Sequence, residues 1–210
     1  MGCELSRFLK KVDKQVEDGA CPKTCPVIPT QTLASDPRMP LTTRQKYSML
    51  ASWKAINRAM EPTGVYMFIK LFEENEELVE LFDKFKALPR IDGEANDLSG
   101  LESSLELAEH ATAVMATLDE GIKALDTVDV FDDFLRQIGR THKRIPGFKK
   151  EYFSRIEPAF LESAKMTLGD RYTDNIESIY KITINLVIET LIKGFEMEDF
   201  GEISMVETIS

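Results

Sequence analysis

Phe131-Asp132-Asp133-Phe134-Leu135-Arg136-Gln137-Ile138-Gly139-Arg140-Thr141-His142 sets Phe131, Phe134, Leu135, Ile138 and His142 on one helical face and the aspartates and Arg136 on the other. The stripe ends on an imidazole, and Pro146-Gly147 breaks it. Upstream, Leu101 to Leu125 repeats the pattern with Leu107, Ala111, Val114, Leu118, Ile122 and Leu125 in register. His110 falls inside that stripe, three residues after Leu107 and four before Val114. These are the only two histidines in the chain, and both point inward. A buried imidazole needs a partner, since leaving it unpaired costs about 1–3 kcal/mol.

The same 3.6-residue period extends through the middle of the chain. Thr42 with Gln45 makes a capping-box signature ahead of Tyr47, Leu50, Trp53 and Ile56, which predicts a first long helix. A second is predicted over about Thr63 to Glu73, with Val65, Phe68, Ile69 and Phe72 on one side, followed by a short helix ending near Phe82. The stretch from Pro89 to Gly100 is polar and has no stripe. Beyond Pro146-Gly147, two long helices are predicted, about Lys149 to Leu168 and Asp174 to Phe195, the second capped by Asp174 with Glu177. No Asn-Gly hairpin signal lies between alternating β-branched residues. The expectation is an all-α domain of seven to eight helices.

Punctuation sets the boundaries. Five of nine prolines fall between residues 21 and 40, where neither period is present. The chain reads as a short amphipathic segment over 1–16, a Pro-rich linker over 17–40, the helical domain over 41–196 and a tail over 197–210. At 210 residues and a net charge of −10, it has room for one sizeable core but no broad basic footprint, so nucleic acid is excluded as a partner. No uncharged apolar run is long enough to span a bilayer, and no secretory signal opens the chain. Cys3, Cys21 and Cys25 all precede the helical region, so no disulfide framework staples it.

Elimination narrows the chemistry of the histidines. There is no His-x-x-x-His or Glu-x-x-His pair, and no core cysteine to complete a zinc site. Gly-x-Ser-x-Gly and phosphate-binding glycine loops are absent too. What fits is a large apolar cofactor taking imidazole ligands from two facing helices, as haem iron does.

In this light the chain resembles the globin family, from about Leu41 to Phe195 and in the family's helix order. Ser52-Trp53 is globin-like in the first helix. Gly64-Val65-Tyr66-Met67-Phe68-Ile69-Lys70-Leu71-Phe72 is similar to the family's second helix and would set Phe68 over the distal side of haem. Leu81-Phe82-Asp83-Lys84-Phe85 looks like the corner where the family packs a phenylalanine on the porphyrin, a role that falls to Phe82. The resemblance implies His142 as proximal and His110 as distal ligand of haem b, iron protoporphyrin IX. It also implies a pocket including Phe68, Phe82, Val114, Ile138, Phe148 and Phe153, with Lys84 near a propionate. The interval of 32 residues between the histidines is similar to that of neuroglobin-like members, which are bis-histidyl at rest. One departure is Ala113, where those members carry a propionate-reaching lysine.

Met1-Gly2-Cys3-Glu4-Leu5-Ser6 fits a myristoylation pattern at Gly2, with Cys3 adjacent for palmitoylation. One acyl chain anchors only marginally, and a second supplies stable attachment. Leu5, Phe8, Leu9, Val12 and Val16 add an apolar stripe flanked by Arg7, Lys10, Lys11 and Lys14, suited to an anionic leaflet. Joined to the globin resemblance, this start is similar to the membrane-associated globin X branch. It places the protein on the cytoplasmic side of a membrane, the plasma membrane. Two functions then stand side by side: binding of O2, CO and NO, and redox chemistry served by an electron-donor reductase. No classical enzyme machinery is read, and a helical interaction module without haem is the third alternative.

Overall fold

Thr42 opens the first helix by a reciprocal cap: its hydroxyl accepts from the Gln45 amide, and the Gln45 side chain accepts from the Thr42 amide. The computed structural model describes residues 36–82 and 104–198. Contacts divide the chain at Ala34 and Ser35, and the described residues belong to the second unit. Gly2, Cys3, Cys21, Cys25, Lys84 and most of the C-terminal tail lie outside the described residues.

Within this unit the order is α1 (Thr43–Asn57), α2 (Met60–Glu74), a 3-10 turn (Glu76–Leu81), α3 (Leu105–Lys123), α4 (Val128–Thr141), a 3-10 segment (Lys150–Arg155), α5 (Ile156–Leu168) and α6 (Asp174–Glu196). Shorter 3-10 turns follow α3, α4 and α5. No strand occurs among the described residues, and the fold is all-α as expected. None of the described helices is long and apolar enough to cross a membrane.

Four departures from the periodicity have local causes. Tyr47 is 74% exposed, and Met49 is buried in its place beside Trp53 and Ile56, so the inward face of α1 is rotated from the expected one. Lys149 to Leu168 is not one helix: Pro158 has no N–H and its ring collides with the carbonyl four residues back, so α-helix begins only at Ile156. The preceding turn, Lys150–Arg155, winds as 3-10. α6 is capped by the Thr173 hydroxyl, which accepts from the Ile176 amide, while Asp174 and Glu177 sit in its first turn. Packing also begins before Leu41, since Met39 is buried and Arg38 pairs with Asp129 at the start of α4.

Trp53 organises one end of the core. Its ring lies 6.3 Å from Phe160 of α5 and 6.4 Å from Tyr180 of α6. Its indole N–H donates to Asp119 Oδ1 of α3 at 2.9 Å, and Asn57 donates to the same oxygen at 2.8 Å. One aromatic side chain thus ties α1 to three other helices.

Candidate functional site

α3 presents His110 and α4 ends in His142, and both line one apolar cavity of about 400 Å³. That is within the range of cofactor and small-molecule sites. His110 is on the buried side of α3 because Leu107, Ala111 and Leu118 dictate that face. His142 is the C-cap of α4, where its Nδ1 donates to the Ile138 carbonyl at 2.8 Å. This bond settles the tautomer: Nδ1 carries the proton, and Nε2 is left as an acceptor able to hold a metal.

Each imidazole is wedged by two phenylalanines. The His110 ring is 5.0 Å from both Phe68 and Phe82, and the His142 ring is 5.0 Å from Phe148 and 4.8 Å from Phe153. The phenyl rings limit rotation of both imidazoles by packing, and for His142 the Ile138 hydrogen bond fixes the orientation as well. Burial pushes both imidazoles below their ordinary pKa, and for His110 the facing His142 adds to the effect. For His142 the Ile138 hydrogen bond opposes burial without cancelling it. Both rings are therefore neutral near pH 7, the form that ligates metals.

Phe68, Phe82, Val114, Ile138, Phe148 and Phe153 all line this cavity together with the two histidines. Ala113 lines it too, so no cation occupies that position. Sequence reasoning missed the far wall, formed by Ile184, Val187, Ile188 and Leu191 of α6. Their spacing of three, one and three is a helical face, but nothing local marks it as cavity rather than core. Among the described residues no group of three or more His, Cys, Asp or Glu side chains could hold a metal ion. Two neutral imidazoles in an apolar cavity suit a metal that brings its remaining donors with it, which is the donor set that haem requires.

The globin family profile matches residues 65–191. Neuroglobin of Tetraodon nigroviridis is 28% identical over 155 residues, covering 74% of this chain and 92% of that protein. Neuroglobin of Danio rerio is 26% identical over the same shares. The crystal structure of a hexacoordinated haem protein from an anhydrobiotic tardigrade superposes with a TM-score of 0.69 at 38% identity, covering 78% of this chain and all of that one.

Proposed function

The chain belongs to the globin family, and from that premise we propose that it binds haem b between His142 and His110 and is bis-histidyl at rest. The observation that carries this reading is the pair of half-buried, neutral imidazoles facing one apolar cavity, with His142 Nδ1 already committed to Ile138. When bound, haem supplies an iron centre that takes O2, CO or NO and exchanges single electrons.

The chain's own residues set how that centre is used. His142 offers Nε2 from the proximal side, and its bond to Ile138 both orients the ring and raises its basicity. Phe148 and Phe153 hold that ring, while Phe68 and Phe82 hold His110 and exclude water from its side of the cavity. Were His110 an internal ligand, apparent gas affinity would be scaled down to the fraction of molecules in which His110 is released. Once released, the same imidazole could donate a hydrogen bond to a gaseous ligand. Val114 and Ile138 add to the apolar lining, and the resemblance assigns Lys84, which lies outside the described residues, to a propionate.

A redox role is the second reading, favoured by the matched clamps on the two imidazoles. Ligands held alike in both oxidation states would need little rearrangement for electron transfer from a reductase, whereas nitrite reduction or scavenging of NO or reactive oxygen would first require His110 to be released. Gly2 and Cys3, if acylated, tether the globin to the cytoplasmic face of the plasma membrane, as in the globin X branch.

Absorption spectra of the ferric, ferrous and CO-bound protein test the reading. A Soret band and a six-coordinate ferrous spectrum are expected. His110→Leu should become five-coordinate and bind CO faster, because no ligand must first leave. A protein without a Soret band, or a five-coordinate wild type whose CO association His110→Leu leaves unchanged, contradicts the respective part of the proposal. Rapid autoxidation in air favours the redox role over O2 carriage.

A further inference from the structure

α4 and α6 meet backbone to backbone at two reciprocal points. A Cβ on Gly139 would lie 2.0 Å from the Leu191 carbonyl oxygen, and one on Gly194 would lie 2.2 Å from that of Arg136. In both cases the obstacle is main chain, which cannot swing aside as a side chain can. Reaching ordinary contact at 3.4 Å would require the helices to part by about 1.4 Å at Gly139 and about 1.2 Å at Gly194. Gly121, by contrast, faces only the Leu135 side chain at 3.6 Å.

The place of this crossing gives it a role beyond packing. Gly139 is three residues before His142 and directly follows Ile138, whose carbonyl fixes His142 Nδ1. Leu191, on the other side of the crossing, lines the same cavity. The closest approach of the two helices is thus within one turn of the imidazole and of the wall it faces. Metal–ligand distances tolerate only about 0.2 Å, so a displacement several times larger at the base of His142 is decisive for coordination.

We propose that the Gly139–Gly194 crossing is the positioning element that sets the depth of His142 and thereby decides whether both histidines ligate one iron at once; this rests on the bis-histidyl reading above. Gly139 and Gly194 are positioning residues, since neither lines the cavity.

The test uses full-length, haem-loaded protein carrying Gly139→Ala, Gly194→Ala, Gly121→Ala or Leu168→Ala. Leu168 is buried in α5 away from the cavity and serves as a purely destabilising control. Three quantities are read: the six-coordinate share of the ferrous spectrum, the CO association rate and amide hydrogen exchange over residues 136–142. Both crossing variants should lose six-coordination, speed CO association at least about tenfold and exchange faster over 136–142. Gly121→Ala should match wild type, and Leu168→Ala should lower the thermal midpoint without moving the spectrum. Unchanged coordination in the crossing variants, the same spectral change in Leu168→Ala, or failure of both crossing variants to fold overturns the proposal. A wild type that is five-coordinate or lacks a Soret band defeats the bis-histidyl reading instead. Exchange over 136–142 still separates the two cases, and its insensitivity to Gly139→Ala removes the positioning role by itself.

Discussion

Asp119→Ala removes the acceptor that joins α1 to α3. Asp119 is 6% exposed and Trp53 3%, so the indole N–H that donates to Oδ1 at 2.9 Å is left without a partner in a dry site. An orphaned buried donor costs about 1–3 kcal/mol. Asn57, which shares that oxygen, is exposed and can turn to water. Lys123 Nζ, 2.6 Å from Oδ2, is solvated and its pairing adds little. The loss should therefore be about 2 kcal/mol, or roughly 4–8 °C in Tm for a unit of this size. Asp119→Asn keeps an oxygen for Trp53 and should lose less than half as much. Burial pushes the Asp119 carboxyl up, yet the bonds from Lys123, Trp53 and Asn57 outweigh it and hold its pKa below the ordinary 3.8. A carboxylate depressed in the folded state contributes stability that is full above its unfolded pKa and is lost as pH falls through the folded one. The gap between wild type and Asp119→Asn should then be constant above about pH 5 and close in acid. Urea unfolding followed by far-UV circular dichroism from pH 7 to pH 3 reads all of this. Asp119→Ala within about 0.5 kcal/mol of wild type, or a gap that widens in acid, would refute the argument.

Thr42→Ala should destabilise by about 1 kcal/mol, because the Gln45 amide loses its hydroxyl acceptor while the backbone N–H at position 42 can still donate to Gln45, with the haem spectrum unchanged, as a denaturant midpoint will show. His142→Leu should lose most of its haem on gel filtration, because His142, held to the Ile138 carbonyl through Nδ1, is the ligand assigned to the proximal side. Gly2→Ala should release the protein from membranes in fractionated cells, and Cys3→Ser should weaken its retention. Full retention of both variants would exclude acylation as the anchor.

Helix existence and inward faces are local properties, so Leu107, Ala111, Leu118 and Ile122 of α3, or Phe131 and Leu135 of α4, declared themselves by spacing alone. The two histidines were legible for the same reason: each sits on such a stripe, and no charge on that face competes. The phenylalanines around them followed from the family resemblance, and the fold brings all four to the cavity. Where a local signal had two solutions, neighbours chose between them. Tyr47 turned out to solvent once Met49 filled the α1 face, and Thr173 rather than Asp174 took the α6 cap.

Other features have no local signature because they belong to two distant segments at once. The α6 wall of the cavity looks like any buried stripe until α4 is laid against it. Gly139 and Gly194 are 55 residues apart in the chain. Each alone reads only as a weak point in a helix, and only the packed fold, by bringing each within reach of the other helix's carbonyls, makes glycine a requirement at both. The amino-acid order therefore determined which faces turn inward and which two rings meet the cavity. Tertiary packing decided at what depth those rings stand, because depth is a distance between helices and no single helix encodes it.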